Sequence, residues 1–134
     1  MLKGSCLCGA VAYEAKSDHS GVTYCHCNFC RKDAGTAFSS NIIVEKAYFS
    51  LIRGEESLSF YQSSPGKNRA FCSKCGSPLY HTKNDQADVP TIKLGTVDEL
   101  DEDYSNWFKS HIWTESSKPW LDYQDGDFYS QTKP

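Results

Sequence analysis

Hydrophobic and polar positions alternate along this chain in short runs, with the period of strands rather than of helices. "AVAYEA" (Ala10 to Ala15) predicts a strand directly after a pair of cysteines, and "GVTY" (Gly21 to Tyr24) predicts another entering a cysteine triplet. "SNIIV", "YFSLI", "SLSFY", "RAF", "TIKL" and "NWFKSHIWT" continue the β pattern, separated by turn signals such as "SSPGKN" and "KNDQADVP". "RKDAGTAF", from Arg31, breaks the alternation and predicts a short helical turn stopped near Gly35. No internal repeat, low-complexity segment or long linker interrupts the series. The expected fold is mainly β, with the cysteine clusters at strand ends.

A length of 134 residues fits one domain, residues 1–134. Hydrophobic residues make up 39% and aromatic residues 13%, and the mean hydropathy is −0.57, so the core must be economical and held by additional staples. Trp107, Phe108, Trp113 and Trp120 read as core fillers, with one or two walling a pocket as the second reading. Asp98, in "GTVD", reads as a turn organiser. The N-terminus lacks the apolar run of a signal peptide, and no later run approaches the roughly 18 residues of a membrane span, so the expected location is cytoplasmic, away from membranes. The formal charge is −3 with Lys and Arg dispersed, which argues against nucleic acid as a partner.

The cysteines are Cys6, Cys8, Cys25, Cys27, Cys30, Cys72 and Cys75, an odd number that a disulfide framework would not pair. In an extended strand Cys6 and Cys8 lie on one face, and a C-x-x-C turn lets Cys72 and Cys75 converge in the same way. Gly9 and Gly76, which follow these pairs, permit the positive φ of tight ligand loops. The two pairs together make a closed zinc site of four thiolates, structural because no place is left for a substrate. Cys25, Cys27 and Cys30 remain as three ligands with one vacancy, the arrangement of a catalytic metal. The fourth place belongs either to a substrate or to a histidine: His26 points to the other face if the segment is extended, and His81 and His111 stay open. Two zinc ions on seven thiolates would take the formal charge from −3 to about −6, further from any nucleic-acid partner.

The ordered set "GSCLCGAVAYE", "CHCNFCRKDAG", "FCSKCGSPL", "GTVD" and "HIWTESSKPW", spanning Gly4 to Trp120, resembles the glutathione-dependent formaldehyde-activating (GFA) enzyme family. The resemblance implies a zinc-bound β-tent fold of small curled antiparallel sheets. It also implies structural zinc on Cys6, Cys8, Cys72 and Cys75, and catalytic zinc on Cys25, Cys27 and Cys30. The founding activity adds glutathione to formaldehyde to give S-hydroxymethylglutathione, classed as a carbon–sulfur lyase for the reverse direction. The ending "LDYQDGDFYSQTKP" departs from the proline-containing ending of that family.

A free thiol titrates near about 8.5, so activation by a metal is the expected means of attack on a small aldehyde. His111 is a candidate proton donor for the alkoxide. Arg31 and Lys118, with Arg69 behind them, are the candidate cations for the carboxylates of glutathione. Two other classes compete: a non-catalytic zinc module that binds a protein, and a glutathione carrier without turnover.

Overall fold

Strands of alternating polarity bury one face each, so such a chain has to stack sheets. The computed structural model describes residues 1–122 and 126–133. Its smaller sheet contains β1 (Leu2–Ser5), β2 (Ala12–Ala15), β5 (Ser50–Arg53) and β10 (Val97–Leu100), in the order β10-β1-β2-β5. The larger sheet contains β3 (Ser17–Cys25), β4 (Ser39–Val44), β6 (Leu58–Ser64), β7 (Lys67–Cys72), β8 (Pro78–Lys83), β9 (Gln86–Lys93), β11 (Lys109–Ile112) and β12 (Asp127–Phe128). Its order is β12-β11-β3-β4-β9-β8-β7-β6. The mainly β expectation holds, and both sheets are antiparallel apart from one edge, where β11 runs parallel to β3 and β12. That edge departs from the all-antiparallel expectation because a long connection, rather than a hairpin, returns the chain to β3.

Apolar side chains from both sheets form the core. Val22, Ile42, Ile92, Tyr80 and Ala70 face one another across β3, β4, β9, β8 and β7, and Leu2, Val11, Tyr13 and Ala15 close over them. Tyr13 stacks on Phe49, and its hydroxyl meets Thr96 Oγ1 at 2.7 Å, so its one buried polar atom is satisfied. The alternate positions of the same strands face the other way. They carry Cys25, Ser39, Asn41, Lys93, His81, Arg69 and Lys67, a polar face on which the helix α1 (Asn28–Ala34) lies through Asp33.

Several local expectations are corrected. The helix begins at Asn28, three residues earlier than expected, and includes Cys30; it ends at Gly35 as expected. Cys6 and Cys8 lie in a turn after β1 rather than in a strand, closed by Gly9 N–H to the Cys6 carbonyl at 3.1 Å. Residues 86–90, expected as part of a turn, begin β9. Asp98 sits on β10 and accepts a hydrogen bond from Ser5 Oγ. Phe108 and Trp120 are exposed, not core fillers, while Trp107 and Trp113 are half-buried. Of the divergent ending, residues 123–125 and 134 lie outside the described residues.

Leu79, fully buried between β7 and β9, tests the core: Leu79→Ala is expected to cost about 2–5 kcal/mol, read as a lower urea midpoint at unchanged slope.

Candidate metal centre and adjoining cavity

Two groups of sulfur atoms converge. The Sγ atoms of Cys6, Cys8, Cys72 and Cys75 lie within 4.8 Å of one another, as do those of Cys25, Cys27 and Cys30. In the quartet Cys6 Sγ and Cys8 Sγ are 3.7 Å apart, and Cys8 Sγ and Cys72 Sγ are 3.8 Å apart. A tetrahedron with Zn–S bonds of about 2.3 Å has edges of about 3.8 Å, so the sulfurs fit such an ion. Cys6 and Cys8 follow β1 of the small sheet, while Cys72 ends β7 of the large one and Cys75 lies just after it, so an ion there would tie the sheets together. Gly9 and Gly76 have φ of 78° and 79°, the left-handed turns that fold each pair back on itself. Hydrogen bonds from Ser77 bring the Cys75 thiol down to about 5.

The trio is assembled by the end of β3 and the start of α1. Cys25 is the last residue of β3, Cys27 caps the helix by accepting from Cys30 N–H at 3.3 Å, and Cys30 lies buried in the first turn. The thiols of Cys25 and Cys27 hydrogen-bond to Cys30 and hold it far below the ordinary thiol range, with Lys67 and Lys93 adding to the effect. Cys25 is pushed far up by Cys27 and Cys30 in turn. Three thiolates so close cannot ionise together without a cation among them, which is the chemistry of a metal site. No histidine or carboxylate ligand atom among the described residues joins either group within the same distance.

Buried cations surround the trio. Arg69, 3% exposed, donates from Nη2 to Cys30 Sγ at 3.7 Å, from Nε to Ser63 Oγ at 2.7 Å and from Nη1 to Asp33 Oδ2 at 3.3 Å. Lys93, 6% exposed, lies 3.8 Å from the same Asp33 oxygen and donates to Asn41 Oδ1 at 3.1 Å. Burial holds the Lys93 ammonium below its ordinary range, opposed by Cys30 and Asp33. Arg69, Lys93 and Asp33 together carry one positive charge, enough to balance the single negative charge that three thiolates would leave around a dication.

A cavity of about 330 Å³ opens beside Cys27, lined by Asn28, Phe29, Ser64, Lys67, Arg69, Trp113 and Ser116. Trp113 has a φ of 58°, a left-handed conformation costing a bulky residue about 1–3 kcal/mol. The C-terminal segment holds it there: Trp113 N–H donates to the Gln131 carbonyl at 2.8 Å, and Thr114 N–H to that of Tyr129 at 3.1 Å.

The other candidates fall in different places. Arg31 turns back along the helix, donating to the His26 carbonyl at 3.1 Å and to Asn28 Oδ1 at 3.4 Å, and Lys118 is half-buried beyond Ser116; neither lines this cavity. His26 and His111 are fully buried with Nε2 and Nδ1 2.8 Å apart, and His111 stacks on Phe128. Both lie on the face of β3 that carries Tyr24, opposite Cys25, as the alternation of a strand requires. Burial, then His111 and Arg31, push His26 down to about 4, so it is neutral at physiological pH. Burial with Lys67 and Lys93 nearby likewise brings His81 down to about 2. Lys67 and Lys93 were not legible as site residues, because β7 and β9 lie far from the trio in sequence; Asp33 is three residues after Cys30 on α1, but its role depends on its pairing with Arg69 and Lys93.

Arg69→Met would remove the cation beside Cys30 without touching the quartet. The expected outcome is a 10–100-fold weaker metal affinity at the trio alone, seen as one of two metal-release phases accelerating under a chromogenic chelator.

Comparison with known proteins agrees with this geometry. A Halomonas elongata protein named, provisionally, as a glutathione-dependent formaldehyde-activating enzyme is 38% identical over 87 residues, covering 60% of this chain and 55% of that protein. A Schizosaccharomyces pombe protein named as an uncharacterised lyase is 32% identical over 78 residues, covering 58% of this chain and 55% of that protein. The aligned regions thus span about half the length of both relatives. A Rhodobacter sphaeroides crystal structure shares the fold, with a TM-score of 0.62 at 24% identity over 74% of this chain and 90% of that one. The profile of the family described as glutathione-dependent formaldehyde-activating enzyme matches residues 1–116, most of the chain and all seven cysteines. The chain belongs to the glutathione-dependent formaldehyde-activating enzyme family.

Proposed function

We propose that the protein is a zinc-dependent carbon–sulfur lyase that forms or cleaves a thiol–aldehyde adduct, with S-hydroxymethylglutathione, from glutathione and formaldehyde, as the leading case. The observation that carries this reading is a trio of cysteines one ligand short of a tetrahedral set, with Cys27 lining a cavity large enough for a small ligand. Family membership and the lyase name of one relative support it.

In this reading residues 1–134 form one domain that holds two zinc ions: a structural one on Cys6, Cys8, Cys72 and Cys75, and a second on Cys25, Cys27 and Cys30. When bound at the trio, zinc supplies acidification of an incoming thiol. The chain's own residues do the rest. Arg69 and Lys93 keep the negative charge of the trio tolerable in a buried setting. Phe29 and Trp113 wall the cavity and orient the thiol toward the cysteines. The thiolate sulfur forms the new C–S bond to the aldehyde carbon, the carbonyl π pair moves to oxygen, and that oxygen takes up a proton to leave the hemithioacetal. His111 lies on the opposite face of its sheet and does not line the cavity, so solvent at the cavity mouth is the proton source.

The decisive test follows adduct formation from glutathione and formaldehyde by exchange NMR against the spontaneous rate. Acceleration is expected; glutathione binding without acceleration would mark a carrier instead. A second outcome separates the two metals. Cys72→Ser is expected to abolish cooperative folding, because a structural zinc contributes folding energy directly, whereas Cys27→Ser should lose turnover and keep the thermal transition. Equal unfolding by both variants would sink the division of roles.

A further inference from the structure

We infer that the cavity beside Cys27 selects thiols that carry a carboxylate, and that Lys67 is the residue that recognises it. The inference rests on the reading of the trio as a thiol-accepting site. Of the two cations lining the cavity, Arg69 is already engaged through Asp33, Ser63 and Cys30. Lys67 is half-buried at the start of β7, and among the described residues its Nζ has neither an ion-pair nor a hydrogen-bond partner. Its register neighbours add no anion, since it pairs with Ser64 on β6 and with another cation, Lys83, on β8. Its interaction with Cys30 of the trio is through space, without direct contact, so a ligand that brings a carboxylate to the half-desolvated ammonium supplies the direct partner it lacks.

Geometry limits the ligand further. Cys27 and Lys67 line the same cavity of about 330 Å³, so one small molecule can meet both, sulfur toward the cysteines and carboxylate toward the ammonium. Trp113 and Phe29 offer apolar surface for a short methylene stem, and Ser64 and Ser116 offer hydroxyls at the polar end. Arg31, turned back to its own helix, is not needed for this recognition.

The experiment uses the zinc-loaded protein and two probes of nearly equal shape, 3-mercaptopropionate and 3-mercaptopropan-1-ol, titrated calorimetrically. The expected result is about tenfold tighter binding of the carboxylate, a preference that shrinks with added salt. Lys67→Met should bring the two thiols to parity by weakening the carboxylate alone, and Lys67→Arg should restore most of the preference. Equal affinities in the unaltered protein overturn the inference while the thiol site stands. So does a Lys67→Met loss shared equally by both thiols, since the lysine would then serve the sulfur. If neither thiol binds, the open-site reading fails first and this inference goes with it.

Discussion

Mutual repulsion among thiolates is the constraint on which the rest of this structure depends. Seven cysteines gather into two groups whose sulfurs lie within 4.8 Å of one another, an arrangement that costs more the more of them ionise. The opposite displacements of Cys30 and Cys25 express that conflict inside the trio, where one thiol holds the negative charge and another is denied it. A divalent cation held by each cluster would resolve the conflict. In the quartet such an ion would also join the turn after β1 of the small sheet to the end of β7 in the large one, a staple suited to a core of low mean hydropathy.

The low hydropathy has a second consequence. Part of the polar content lies inside the protein, on the face of the large sheet that looks away from the apolar core. Arg69, Lys93, His81 and Asn41 are all buried there, tied by Asp33 to the helix that carries Cys30. Buried ions are tolerated when they are paired and hydrogen-bonded, and here the pairing is completed by the negative charge of the thiolate cluster. The strained Trp113 belongs to the same economy: the segment after residue 126 clamps the loop that presents the indole to the cavity.

What the sequence determined by itself was local. The spacings C-x-C, C-x-C-x-x-C and C-x-x-C bring sulfurs together within a turn or a strand end, and the glycines after two of them allow the turns, so both ligand sets were legible from neighbouring residues. The strands with clear alternation were legible for the same reason, and so was the placing of His26 on the face opposite Cys25. β1, β8, β10 and β12 were missed because their runs are short or lie next to turn signals that mask the period.

Only the tertiary structure decided what surrounds the metal ligands. Lys67 and Arg69 come from β7, Lys93 from β9 and Trp113 from the turn after β11, and the approach of the β7 and β9 cations to the trio, and to Asp33 on its helix, depends on the registers of five neighbouring strands. A shift of one residue in any of those registers would turn the charges to the other face of the sheet. Register is settled by packing of the whole apolar core rather than by any local pattern. The convergence of the cysteines into two groups could therefore be read from the chain, and the charged groups around them could not.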